Sequence, residues 1–245
     1  MRNFKLTMQY DGSRYKGWQR LGSSDMTIQE RIENVLIKMT GEKIELIGSG
    51  RTDAGVHALQ QAANFKTKDQ RSVKEIIAYL NAYLPEDIVI KRVEEVNERF
   101  HARYNAVSKT YMYRIWNHSY SNPFLRKHIV HIPEELNLVA MKQAACFLIG
   151  EHDFTSFRAS KSKKKSNIRT IYSIEIHKNE TIIEMMVHGS GFLHNMVRII
   201  VGTLLEVGRG KMKPETVKYI LDQRDRSLAG ATAPAKGLFL YTIEY

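Results

Sequence analysis

The sequence has a single cysteine, Cys146, among its 245 residues. One cysteine excludes an intramolecular disulfide and any zinc site built from cysteines, and it is typical of a protein in a reducing compartment. No stretch approaches the ~18 consecutive apolar residues that a membrane-spanning helix needs. The first ten residues alternate like a strand, whereas a signal peptide has a long apolar segment. We therefore expect a soluble, cytoplasmic protein with no membrane partner.

The sequence also lacks the common motifs of cofactor and metal sites. Its glycine-rich segment 48–58 has the spacing G-x-G-x-x-x-x-G, which is not the G-x-G-x-x-G of dinucleotide-binding folds. Val56 follows Gly55 where a P-loop has lysine. The nine histidines form no H-E-x-x-H pattern, and no G-x-S-x-G nucleophile motif occurs. A methyltransferase or an NTPase therefore loses its most obvious anchor here, and a metal site is only weakly supported.

Positive charge is in excess. Lys and Arg number 37 against 26 Asp and Glu, a formal net charge of +11. Such an excess favours polyanions, nucleic acid foremost, because neutralising phosphates releases condensed counterions. Aromatic residues alternate with this charge in segments 10–20, 100–104 and 109–114. Rings that stack on unpaired bases beside cations that hold phosphates favour RNA, although packing in the core is the simpler interpretation for any single ring.

Hydrophobic periodicity indicates an α+β fold. Capping patterns at Thr27 and Glu30, and at Ser72 and Glu75, predict two helices that end near Gly41 and Pro85. Three more helices are predicted at about 138–150, 193–207 and from Pro214. Strand-like alternation occupies 4–10, 62–67, 88–93, 109–116, 171–177, 181–188 and 238–245. We expect a mixed, mainly antiparallel central sheet with flanking helices, built from two related halves at 1–104 and 105–245.

The segment 48–58 is the strongest candidate for chemistry. Its glycines allow positive φ and a close approach of the backbone to a ligand. Arg51 and Asp53 lie two residues apart, and a neighbouring cation favours an ionised carboxylate, which suits a nucleophile or base. Spacing alone favours the plainer interpretation of a surface turn with an ion pair.

With these residues in view, the sequence resembles the tRNA pseudouridine synthase A family along nearly its whole length. The resemblance consists of ten blocks in family order, namely YDGS (10–13), GWQR (17–20), GRTDAGVHA (50–58), FHARY (100–104), KTYMYR (109–114), GEHDF (150–154), FLHNMVR (192–198), VGTL (201–204), AGATAPA (229–235) and GL (237–238). The block around Asp53 is highly specific. The Lys163–Lys165 run is particular to this chain and is a possible phosphate contact.

The resemblance implies a function and a role for each site residue. Family enzymes isomerise uridines 38–40 in the anticodon arm of tRNA, work as homodimers, and need neither cofactor nor metal. Asp53 corresponds to the catalytic aspartate and Tyr111 to the tyrosine that packs on the target base. Arg51 corresponds to the arginine associated with flipping the target nucleotide, and Arg198 to a basic residue that pairs with the catalytic carboxylate.

The sequence leaves the order of bond-making open. An ionised Asp53 can attack C1′ of the ribose, attack C6 of the base, or remove the C2′ proton. Two other classes of protein stay as alternatives: an RNA-binding protein or chaperone without catalysis, and another RNA-modifying enzyme such as a methyltransferase. The missing cofactor motif disfavours the methyltransferase.

Overall fold

The structure is a computed structural model that describes residues 1–22, 26–159 and 166–245. The predicted lysine contact at Lys163–Lys165 lies outside these residues. The strands are β1 (Arg2–Tyr10), β2 (Ile47–Gly48), β3 (His57–Thr67), β4 (Ile88–Val96), β5 (Ser108–Trp116), β6 (Val130–His131), β7 (Gly150–Asp153), β8 (Ile168–Asn179), β9 (Ile182–Gly189) and β10 (Leu238–Glu244). The α-helices are α1 (Ile28–Thr40), α2 (Val73–Tyr83), α3 (Leu138–Cys146), α4 (Met196–Gly208) and α5 (Thr216–Gln223).

The chain forms two compact units. The first comprises Met1–Val107 together with Phe239–Tyr245, and the second comprises Ser108–Leu238. The first unit thus includes a strand from the far end of the sequence, which the predicted division had grouped with residues 105–245. Whether the two units are related halves stays a prediction.

The first unit is built on β1. This strand pairs antiparallel with β3 on one side and with β4 on the other, while β2 pairs antiparallel with β3. Alternate side chains of β1, at Phe4, Leu6 and Met8, are fully buried because successive residues of a strand point to opposite faces. Strand β10 adds to β3 in parallel, with Phe239 opposite His57. The beginning of β3, next to the segment with Asp53, is therefore covered by a strand from the far end of the sequence.

The helices of the first unit begin where their caps predict. The Thr27 side chain accepts a hydrogen bond from the Glu30 amide, and Gly41 ends α1 in the left-handed region at φ 72°. Ser72 and Glu75 form the reciprocal capping box that begins α2. Both helix predictions are confirmed at these ends.

The second unit contains a strand order of β6, β5, β9, β8 and β7. The pairs β5–β9, β9–β8 and β8–β7 are antiparallel, and β6 pairs with β5 in parallel. Helix α4 is buried on almost every side and packs against α3. It begins at Met196, later than the predicted Leu193, because Asn195 takes left-handed dihedrals at φ 60°. Helix α3 ends at Cys146, before the predicted Gly150, which instead begins β7.

The predicted fold class is confirmed. Both units are mixed and mainly antiparallel with flanking helices, and the seven predicted strands are all present. The short strands β6 and β7 were missed, because strands of two and four residues are too short to show alternation. Among the described residues, no helix is long and apolar enough to cross a membrane.

Candidate active site

Asp53 lies in the connection between β2 and β3, here called the Asp53 loop (residues 49–56). Its side chain is half-buried, and its carbonyl accepts a hydrogen bond from the Val56 amide at 3.1 Å. The carbonyl of the preceding residue, the buried Thr52, accepts the Trp18 amide at 3.0 Å. The backbone is therefore held on both sides of the carboxylate.

A buried network of polar side chains, centred on Gln61 of β3, holds this loop in place. The Gln61 side chain donates to the Gly50 carbonyl at 3.0 Å and to the Tyr10 hydroxyl at 3.5 Å. Its oxygen accepts the Ser49 hydroxyl at 2.8 Å and the Ala62 amide at 3.1 Å. The Gln61 amide thus links β3 to Ser49 and Gly50 at the start of the Asp53 loop and to Tyr10 at the end of β1. Because Ser49, Tyr10 and Ala62 are buried, losing the bonds to Gln61 costs stability that water cannot restore there.

Tyr10 continues the network to Thr52. Its hydroxyl and the Thr52 hydroxyl lie 2.8 Å apart in the buried interior. Burial raises the pKa of Tyr10 well above its usual value, against a smaller opposing effect of the hydrogen bond to Thr52. The phenol therefore stays neutral at physiological pH and acts as a fixed hydrogen-bonding group next to the residue that precedes Asp53.

Two glycines allow the connection after β1 to approach the Asp53 loop closely. A Cβ on Gly12 would lie 2.0 Å from the Val56 carbonyl oxygen, and one on Gly17 would lie 2.7 Å from the Thr52 carbonyl oxygen. Gly17 also has φ +100°, a conformation that side chains rarely adopt. The sequence blocks at 10–13 and 17–20 therefore pack against the block at 50–58, which contains Asp53.

The ion pair expected between Arg51 and Asp53 is absent. Arg51 is exposed, and within the described ranges its guanidinium makes no hydrogen bond or ion pair with Asp53 or with any other residue. The loop leaves the Arg51 side chain in solvent and half-buries that of Asp53, although the two residues are only two positions apart. The prediction from spacing was wrong on this pairing, and Arg51 is left available for an anionic ligand.

Tyr111 and Arg198 belong to the second unit. Tyr111, on β5, is 9% exposed, and its ring meets that of Phe192 edge-on, with centroids 5.2 Å apart. Tyr113 shares its face of the strand but is fully buried and donates to the Pro234 carbonyl at 2.9 Å. Of the two tyrosines on this face of β5, Tyr113 is thus the one that is wholly part of the core.

Arg198 is half-buried in the first turn of α4 and is held by its surroundings. Its Nε donates to the Ala233 carbonyl at 2.7 Å and one terminal nitrogen donates to the Asn195 side chain at 2.9 Å. The Arg198 carbonyl in turn accepts the Ala233 amide at 3.1 Å. The blocks at 192–198 and 229–235 therefore meet around this guanidinium and fix its direction.

Sequence reasoning missed the supporting residues. Gln61 attracted no attention because a glutamine in a strand is normally a solvent-facing residue, and its partners other than Ala62 lie 11 to 51 positions away. The available signal was weak: Gln61 is one of two adjacent glutamines that stand between Leu59 and Ala62 in β3.

Comparisons with known proteins identify the family to which the chain belongs. The family model described as tRNA pseudouridine synthase matches residues 6–105 and 144–245. The chain is 56% identical to tRNA pseudouridine synthase A of Bacillus sp. (strain KSM-64) and 52% identical to tRNA pseudouridine synthase A 2 of Bacillus cereus (strain ZK / E33L). It is 52% identical to tRNA pseudouridine synthase A 1 of Clostridium tetani. Each of these matches covers 100% of both chains.

A solved chain from a Cbf5-Nop10-Gar1 complex is 13% identical, with a TM-score of 0.35. The match covers 82% of this chain and 45% of the other, and at that score it carries no argument. The family model and the full-length relatives are sufficient to assign the family. This chain belongs to the tRNA pseudouridine synthase family and is an isomerase that acts on uridine in tRNA.

Proposed function

We propose that this enzyme converts uridine to pseudouridine at positions 38–40, in the anticodon arm of tRNA, with Asp53 as its catalytic carboxylate. The observation on which the proposal rests is the construction of the Asp53 loop. A half-buried carboxylate sits between backbone groups that are fixed by Trp18 and Val56, above a buried network centred on Gln61.

This construction fits the demands of the reaction. The bond between C1′ of the ribose and N1 of uracil breaks, and a bond between C1′ and C5 forms. The C5 proton is lost and N1 gains one, so that atoms balance without an external reactant. A carboxylate that is already oriented loses little freedom in the transition state, and this lowers the barrier. Attack at C1′, attack at C6 and removal of the C2′ proton all remain compatible with Asp53.

The other site residues keep the roles that the resemblance implies. Tyr111 packs on the target base, and the edge-on ring of Phe192 limits the positions its own ring can take. Arg51, exposed and without a partner in the described part of the chain, replaces the flipped nucleotide or contacts its phosphate. Arg198 provides the cation for the catalytic carboxylate. We further propose that the enzyme works in the cytoplasm as a homodimer and requires no cofactor or metal.

The test is turnover by Asp53→Asn, which removes the negative charge and keeps the shape. Purified protein is incubated with an unmodified tRNA transcript and no added cofactor, and pseudouridine is mapped by its selective chemical adduct. We expect the variant to lose at least ~10³-fold in kcat, while its Kd for tRNA stays within about threefold because an uncharged isostere preserves the loop. Asp222→Asn, at an exposed aspartate on α5, is the matched control and keeps full activity.

Three results would contradict parts of the proposal. Pseudouridine formed by Asp53→Asn rejects the catalytic role. Product outside the anticodon arm rejects the assigned positions. Tight binding by the wild type with no product at all supports an RNA-binding protein without catalysis.

A further inference from the structure

The connection that follows β5 has an unusual composition. It is here called the 117–129 loop, and its sequence is NHSYSNPFLRKHI. It contains Arg126, Lys127 and two histidines but no Asp or Glu. It also lies outside the two stretches that the family model matches, residues 6–105 and 144–245. None of the site residues described above belongs to it.

Two aromatic rings of this loop stand in solvent. Phe124 is 91% exposed and Tyr120 is 77% exposed. Phe124 is the most exposed of the large apolar side chains in the described part of the chain. Single exposed apolar residues are common, but two rings beside two cations on one short loop form a distinct surface.

The rings are presented by an ordered backbone. The Asn122 side chain accepts the amides of Phe124 at 3.0 Å and of Leu125 at 3.3 Å. The Trp116 indole donates to the Tyr120 carbonyl at 2.7 Å, which joins the loop to the end of β5. A loop that is already ordered loses less conformational freedom on binding, so its exposed rings are prepared for a ligand.

Charge identifies the ligand as a polyanion. Arg126 and Lys127 are exposed, and Arg126 has only the Pro123 carbonyl as a hydrogen-bond acceptor among the described residues. A second copy of this loop would face these cations with the same cations, and the whole chain has a net charge of +11. RNA instead offers phosphates to the cations and unpaired bases to the rings.

We propose that the 117–129 loop is a tRNA-binding surface additional to the residues expected at the target uridine. Phe124 and Tyr120 stack on unpaired bases, and Arg126 and Lys127 contact phosphates. The inference rests on tRNA as the substrate, and it does not depend on Asp53 as the catalytic group.

The experiment measures the Kd for an unmodified tRNA transcript at several salt concentrations, together with kcat at saturating tRNA. We expect Tyr120→Ala/Phe124→Ala to weaken binding by about tenfold or more because stacking is lost, with kcat unchanged. Phe124→Trp keeps a ring, so its affinity stays near that of the wild type, and its added fluorescence is quenched by tRNA. Arg126→Gln/Lys127→Gln lowers the salt slope of log Kd by about one to two units because two phosphate contacts are lost.

Matched controls test whether any exposed ring or cation would act alike. Tyr83→Ala removes an exposed ring on α2, and Lys38→Gln/Lys74→Gln removes two exposed charges from α1 and α2. We expect both variants to bind tRNA with a Kd within about twofold of the wild type. The second variant also loses two positive charges, and its Kd rises by no more than this lower net charge accounts for. Sedimentation of each variant is measured in parallel.

The outcomes separate cleanly. Loop variants that bind tRNA as the wild type does, with an unchanged salt slope, overturn the proposal. So do loop variants that change only the oligomeric state, because the loop is then an interface between copies. Wild-type protein that binds through this loop but forms no pseudouridine supports the loop and rejects the proposed catalysis.

Discussion

Two loops of this protein are ordered by opposite means. The Asp53 loop is fixed from outside itself, by glycines of the first unit and by the Gln61 amide. The 117–129 loop is ordered chiefly by its own short-range hydrogen bonds, such as those to Asn122, and turns its large side chains to solvent. The first arrangement fixes one small group, while the second exposes a broad surface. We infer that catalysis depends on the first and affinity on the second.

The largest effect is expected when the outside support of the Asp53 loop is forced away. In Gly12→Ala the new Cβ would lie 2.0 Å from the Val56 carbonyl oxygen, so the backbone must move. We expect a loss of about 3 kcal/mol in the free energy of unfolding, measured by urea denaturation, and a large fall in kcat. The control is Gly22→Ala, where a Cβ meets no atom within 4 Å. Equal stability of the two variants would show that the contact at Gly12 does not hold the loop.

A smaller effect is expected from breaking the buried network. Gln61→Leu keeps the bulk of the side chain but removes the hydrogen bonds that the Gln61 amide makes with Ser49, Gly50 and Ala62. We expect a loss of about 2 kcal/mol in stability and a fall in kcat of about tenfold to a hundredfold as Asp53 loses its fixed position. The Kd for tRNA changes little.

The matched control for that variant is its neighbour. Gln60 is exposed and forms a single 3.4 Å hydrogen bond with Thr242, so Gln60→Leu should change stability by less than about 0.5 kcal/mol. If Gln61→Leu weakened tRNA binding and left kcat unchanged, this result would contradict the inference that catalysis depends on the Asp53 loop and affinity on the 117–129 loop.

The smallest effect concerns pH. Tyr15 accepts the Gly55 amide with its carbonyl and donates its hydroxyl to Asp87 at 2.6 Å. Burial, reinforced by that hydrogen bond, raises the pKa of Tyr15 to about 12 from 10.0. Between these values the unfolded chain releases the proton and the folded chain keeps it, so stability falls as pH rises from 10 towards 12. In urea denaturation across that window, Tyr15→Phe should show a shallower decline, and an unchanged decline would contradict the raised pKa.

Most of the fold could be predicted because its signals are local. Thr27 with Glu30 and Ser72 with Glu75 lie three residues apart, and both caps are present. The fixed position of Asp53 was not predictable, because Tyr10, Thr52 and Gln61 are brought together only by folding. Arg51 illustrates the converse: closeness in sequence suggested an ion pair that the loop conformation prevents. The exposed rings of the 117–129 loop escaped notice because a sequence does not distinguish an exposed aromatic residue from a buried one.

Strand β10 has a consequence for the order in which the enzyme matures during synthesis. It lies beside the start of β3, with the Phe239 and His57 rings stacked 4.7 Å apart, and the Tyr245 hydroxyl donates to the Ala102 carbonyl at 2.9 Å. A ribosome makes Asp53 early but delivers this strand only after the whole second unit. Until β10 is synthesised, the start of β3 in the nascent first unit lacks this neighbouring strand, next to the Asp53 loop. A messenger truncated before residue 239 would yield nearly all of the protein but not this strand.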